Sequence, residues 1–313
     1  MTADIVHIGA ADKEEANRCL REQFPGCPEI YEICDPWESS CQPSPNNNDP
    51  RCRQTQTELC PGTRIIGYTG RFFLFSGAVE SYERGLGLTV AHATKEKDKI
   101  VLESDNIVGE CRQLYDTLEL KDGAKLTADL AFLDLSCQCS VHNTVRWPIP
   151  CGKTLQIQIY KGQRVPDDTK VMILDRNGDF QYGSIRRDHM TDKGLQYRDL
   201  HNVLAISTKK DQTEVSITQL GDSGALVMSL PSNHSNVVDV YGIVNHIYTE
   251  YNSPTDLTIR RTLTVASSLW DVIHELHTNP KYRQDFSNNN IEDDIDFLGC
   301  LAEISPNKVA HIY

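Results

Sequence analysis

The sequence predicts an all-β protein, built as barrels or sandwiches and ending in one helix. Three observations carry this: short apolar or alternating runs recur from residue 63 to residue 266, turn residues separate them, and no long segment between them has helical periodicity. In the first half the strand-like runs are 63–68, 71–79, 86–92, 99–103, 113–120 and 129–135. The second half supplies 154–160, 170–175, 179–186, 202–207, 213–218, 224–230, 237–248 and 261–266. Between two of these, Asp175-Arg176-Asn177-Gly178-Asp179 carries the Asn-Gly pair that favours a tight hairpin. The helix is expected after Ser268, which with Asp271 three residues on resembles a capping box, and Leu269, Val272, Ile273 and Leu276 form its apolar stripe.

Composition fits a globular chain. With 313 residues, 39% hydrophobic and 24% charged, it is long enough for one or two real cores. A net charge of −13 disfavours nucleic acid, whose phosphates call for clustered Lys and Arg. No basic patch suited to an anionic membrane stands out, and no run approaches the roughly 20 apolar residues of a spanning helix. The start, Met-Thr-Ala-Asp-Ile-Val-His, lacks the basic and apolar regions of a signal peptide, which favours a cytoplasmic over a secreted setting. Glu292, Asp293, Asp294 and Asp296 mark a solvated acidic tail.

Cysteine divides the chain. Cys19, Cys27, Cys34, Cys41, Cys52 and Cys60 crowd a segment broken by prolines and asparagines, which needs staples or a neighbouring surface to become ordered. Residues 1–61 are therefore expected to be an accessory segment, a place for a protein partner, with disulfides if exported and thiols if cytosolic. Cys137, Cys139 and His142 are metal-ligand types, but structural thiols or a bridge to Cys151 account for them as well. No metal and no cofactor is implied. Asn233-His234-Ser235 is a lone glycosylation sequon.

The chemistry concentrates in three places. Gly221-Asp222-Ser223-Gly224 is a turn that can expose a hydroxyl beside free backbone N–H groups, the two needs of a nucleophilic Ser. Leu86 to Ala93 is an apolar run delivering His92, and Thr127 to Leu135 places Asp129 at the head of another, with Asp134 a competitor for its role. Taken singly, each has a plainer account: a surface turn, a core His, a strand-end cap.

Together, in the order His, Asp, Ser, these motifs resemble those of the chymotrypsin-like serine proteases, over residues 62–278. The resemblance implies two six-stranded antiparallel β-barrels with a C-terminal helix, and a serine endopeptidase acting on polypeptide without cofactor. It implies His92 as general base, Asp129 as its orienting acid, Ser223 as nucleophile, and the amides of Gly221 and Ser223 as oxyanion hole. Ala93, Gln219 and Ala225 depart from the family pattern, removing two usual bridge cysteines and a glycine. Arg64-Ile65-Ile66-Gly67 looks like an activation site whose freed Ile ammonium would pair with Asp222, the alternative being an ordinary opening strand. The resemblance also puts Ile217 at the floor of the primary pocket, where Asp would attract Lys or Arg. Two preferences stay open: an apolar pocket floored by Ile217, or a Gln/Glu pocket using Thr218 and His246, with Asn245 or Val244 facing the pocket in place of His246 as the alternative. A silent protease-like binding module and an esterase are the other function classes.

Overall fold

In a computed structural model of the chain, the described residues are 57–67, 70–81, 84–136, 139–147, 154–162, 164–192, 200–211, 213–232, 235–252 and 258–283. The chain divides into two compact units. One, residues 1–47 with 146–154, lies almost wholly outside the described residues; the other, 48–145 with 155–313, holds the sheets. Five of the six N-terminal cysteines, the sequon's Asn233 and the acidic run fall outside the described residues.

A short strand β1 (Thr57–Leu59) opens the described chain, followed by β2 (Arg64–Ile66), β3 (Phe72–Leu74), β4 (Gly77–Ser81), β5 (Arg84–Val90), β6 (Lys99–Val101), β7 (Ile107–Glu119) and β8 (Lys125–Leu135). The last seven form an antiparallel sheet in the order β3-β2-β6-β7-β8-β5-β4. Its end strands are consecutive in the chain, joined through Phe75 and Ser76, so the sheet curls round on itself. Phe75 N donates to Thr63 O (2.9 Å) and Ser76 N to Leu88 O (2.9 Å) across that joint. With β3 and β4 counted as one bent strand, six strands make the first barrel.

Then come β9 (Cys139–Val141), β10 (Thr144–Arg146), β11 (Thr154–Ile159), β12 (Lys170–Leu174), β13 (Phe180–Asp192), β14 (Leu200–Lys210), β15 (Thr213–Val215), β16 (Leu226–Ser229), β17 (Val237–Tyr251) and β18 (Ile259–Ser268). Here the pairings close a ring: β17-β16-β12-β13-β14-β18 and back to β17. All these pairs are antiparallel, as expected for the second six-stranded barrel. Two parallel pairs, β1 with β9 and β11 with β17, lie outside the rings. The three-residue strands β1, β9 and β10 were not expected, because so short a run shows no alternation.

Side-chain alternation drives each ring closed. Val171, Ile173, Ile206, Val227, Val244 and Ala266 point into the second barrel, and Leu74 from the first joins the same cluster. Strand β8 is buried along both faces from Leu126 to Leu133, since it lies inside its sheet and its outer side meets β14. His201 N donates to Thr127 Oγ1 (3.0 Å) and Asn202 Nδ2 to Lys125 O (3.0 Å) at that contact. Among the described cysteines Cys60, Cys111 and Cys139 are free thiols, so no bridge staples these barrels there. In the second barrel a chain of charges ties strands instead: Arg186 and Arg261 share Glu214 (3.3 and 3.0 Å), and Arg261 and Arg260 share Glu250. Networks of this kind stabilise where an isolated surface pair does little.

The hairpin at Asp175 is tighter in origin than the Asn-Gly pair alone suggests. Only Gly178 adopts a positive φ (84°), while the Asp175 carboxylate accepts from Asn177 N (2.8 Å) and Asp179 N (3.0 Å). The helix α1 (Leu269–Thr278) forms where expected, its cap Ser268 accepting from Asp271 N at 3.4 Å and its stripe buried. Ordered packing continues through α2 (Pro280–Arg283), past the expected boundary at residue 278. Tyr282 OH accepts from Glu119 N (2.8 Å), and Asn279 Nδ2 donates to Glu119 O (3.1 Å), fastening this end to the first barrel. No helix among the described residues is long and apolar enough to cross a membrane.

Candidate active site

Strand β5 ends in a one-turn 3₁₀ helix, Ala91–Ala93, whose Ala residues are buried and whose His92 faces outward. The neighbouring β8 carries a bulge: Tyr115 pairs with Leu130 but Thr117 with Thr127, leaving Ala128 and Asp129 opposite one residue. Asp129 takes a φ of 42°, a conformation that Asp and Asn tolerate better than most side chains. The bulge turns its carboxylate toward His92. Asp129 Oδ2 lies 2.8 Å from His92 Nδ1, and Oδ1 accepts from His92 N at 3.0 Å. The acid is almost fully buried (1% exposed) and the imidazole is 39% exposed. Asp134, the competing acid, sits near Arg112 (3.7 Å).

The Ser223 turn belongs to the second barrel but is docked on the first. Leu74 N donates to Ser223 O (2.8 Å), Ser76 Oγ to Gly224 O (2.7 Å), and Thr89 Oγ1 to Leu74 O (2.9 Å). Thr89 stands three residues before His92, so the backbone of Ser223 and the strand that leads to His92 share one anchor, Leu74. A side chain at Gly224 would put its Cβ 2.1 Å from Leu74 O, and its φ of 93° excludes most residues anyway. Ser223 Oγ donates to Asn245 O (3.3 Å), and no hydrogen bond joins it to His92.

Amides along the turn alternate. Asp222 N, Gly224 N and Ala225 N are bonded to Gln219 O (3.1 Å), Val244 O (2.8 Å) and Asp222 O (3.0 Å). The N–H groups of Gly221 and Ser223 have no partner among the described residues. Those are the two donors an oxyanion hole requires. Asp222 itself is fully buried, one oxygen accepting from Arg176 N (3.0 Å) and the other from Gln219 N (2.7 Å). Ile65 is buried in β2, paired with Phe73. Asp222 is thus satisfied without an ammonium partner, and Arg64 and Ile65 lie in β2.

The pocket residues are placed less openly than expected. Ile217 is 8% exposed and packs in the core of the second barrel, where its Cδ1 abuts Gly183. Thr218 Oγ1 lies 2.9 Å from Thr264 Oγ1, which also engages Ser216 Oγ (2.8 Å). His246 is on β17 opposite Val265, the residue after Thr264. Cys139 donates its thiol to Val108 O (3.4 Å) beneath the surface, whereas His142 is exposed. Burial pushes the Cys111 thiol up to about 11, which keeps it protonated and inert at neutral pH.

Two residues take parts at the site that the sequence did not assign to them. Asn245 is buried, its Nδ2 donating to Ser267 Oγ (2.9 Å) and its Oδ1 without a partner among the described residues. Arg176, in the hairpin, donates its guanidinium to Leu220 O and its N–H to Asp222. Neither has a local signal, because both act through a contact more than twenty residues away in the chain.

No protein-family model and no curated protein matches the chain. Solved structures do. Thermobifida fusca protease A is 11% identical, covering 70% of this chain and 95% of its own, with a TM-score of 0.46. A glutamic-acid-specific serine protease is 13% identical, covering 69% and 96%, with a TM-score of 0.48. The chymotrypsin of Cellulomonas bogoriensis is 12% identical, covering 69% and 94%, with a TM-score of 0.45. Likeness at this level carries nothing about activity or substrate. The strand pairings themselves are those of a two-barrel chymotrypsin fold.

Proposed function

We propose that this protein is a serine endopeptidase working through an acyl-enzyme. The observation that carries the proposal is the buried Asp129 carboxylate, bonded to His92 Nδ1 at 2.8 Å, beside the docked turn of Ser223. That bond holds a proton on Nδ1 and leaves Nε2 as the free base. Ser223 Oγ attacks the substrate carbonyl as its proton passes to Nε2, and the carbonyl oxygen becomes an oxyanion held by the amides of Gly221 and Ser223. The imidazolium then returns the proton to the leaving amine. Water repeats the sequence on the ester, releasing the acid and restoring Ser223. Ile217 and Thr218 put no carboxylate where a Lys- or Arg-specific pocket would have one.

A binding module without turnover is the second reading. It is favoured by one contact: Ser223 Oγ donates to Asn245 O instead of His92. A fluorophosphonate probe separates the two. Wild type is expected to label, and Ser223→Ala and His92→Ala to lose the label, since removing a triad member costs several orders of magnitude. A folded wild type that never labels makes the protein a binding module.

A further inference from the structure

The oxyanion turn has a weak point. The peptide between Leu220 and Gly221 must present its N–H to the substrate, yet neither flanking residue fixes its orientation. Gly221 has no Cβ and sits at φ 100°, a region glycine enters and leaves at little cost. Leu220 is 85% exposed, by far the most exposed large apolar side chain among the described residues, so packing does not hold it.

Arg176 supplies what both lack. Its guanidinium donates to Leu220 O, the carbonyl of that same peptide. The peptide is planar and trans, so a fixed carbonyl fixes the N–H of Gly221 on the opposite side. The guanidinium also lies flush against Gly221: a Cβ there would stand 3.0 Å from Nη1 and 3.2 Å from Cδ of Arg176. Arg176 is itself held in place by its N–H on the buried Asp222 and by the turn that Asp175 organises.

We propose that the Arg176 side chain is a positioning residue for the oxyanion hole, locking the Leu220–Gly221 peptide with its N–H toward the substrate. The proposal rests on Ser223 acting as nucleophile. It assigns to an internal side chain the ordering of this turn, with no cleavage at Arg64-Ile65 needed. Side-chain variants leave the Arg176 N–H on Asp222 intact, so they test the guanidinium alone.

The test compares wild type, Arg176→Ala and Arg176→Lys by fluorophosphonate labelling rate, peptidase kcat and KM, melting temperature, and a crystal structure of Arg176→Ala. Loss of one oxyanion donor costs about 10²-fold. Arg176→Ala is therefore expected to label about 10²-fold more slowly and to lose kcat with KM unchanged, with Leu220 O turned from its wild-type direction. Arg176→Lys, which keeps a cationic donor, is expected to recover most of the rate. Labelling of Arg176→Ala at the wild-type rate, or a fall fully explained by a lowered melting temperature, overturns the proposal. If wild type does not label, the nucleophile assignment fails instead, and the crystal structure still decides the lock: an unturned Leu220 carbonyl overturns it.

Discussion

The two halves of the site are built by opposite means. The first barrel holds His92 and Asp129 at two departures from regular sheet, the 3₁₀ turn that ends β5 and the bulge in β8 that puts Asp129 at φ 42°. The second barrel offers Ser223 on a turn with no strand pairing, ordered by glycines and by bonds to distant groups: Leu74, Ser76, Asn245 and Arg176. Both departures are fixed by the paired strands on either side of them. A loop-borne residue depends on each anchor separately, and the Ser223 hydroxyl is held on Asn245 O, with no hydrogen bond to His92.

The largest effect expected is on the first half. Asp129→Asn keeps the backbone, because Asn tolerates this φ nearly as well as Asp, but it removes the acceptor that fixes the His92 tautomer. Turnover is expected to fall about 10⁴-fold, as in such triads generally, with little change in melting temperature. Asp129→Ala, which also carries the backbone strain, should add a stability loss. Equal melting of the two variants would show that the bulge, not the side chain, sets the conformation.

In the second half the sensitive anchor is steric. Gly224→Ala drives a Cβ into Leu74 O, a backbone atom that cannot move without opening β3. A loss on the order of 3 kcal/mol or more is expected in denaturant unfolding, since overpacking and a disallowed φ combine. A near-neutral outcome would mean the turn is not docked on the first barrel as described.

The smallest effect lies away from the site, on α1, where the barrels' common helix carries His277. Burial, and secondarily the nearby His274, push its pKa down from the usual 6.5 to about 4. The unfolded chain therefore takes up this proton first as pH falls. Stability contributed by the neutral ring is full above about 6.5 and is lost progressively toward about 4. Melting temperature should decline over that window, and His277→Gln should flatten the decline. An unchanged slope would assign the acid sensitivity to other groups.

The sequence by itself located most of the strands and the capped helix and nominated residues for the candidate site, for a shared reason: each is written locally. Apolar alternation, a Ser with an Asp three residues on, and Gly-Asp-Ser-Gly each need only a few neighbouring residues to be recognised. Whatever depends on pairing between distant segments was decided only by the tertiary structure. Ile217 was a pocket floor by position, yet its burial beside Gly183 follows from the closing of β13 onto β14. Asp222 invited an ammonium partner, and only the folding of the Asp175 hairpin across it brings the amide of Arg176 there instead. Residues 279–283 looked like the start of a polar tail until Glu119, on the far side of the chain, gave Asn279 and Tyr282 something to bond. A hydrogen bond between segments more than forty residues apart leaves no periodicity in either one, so no local pattern can announce it.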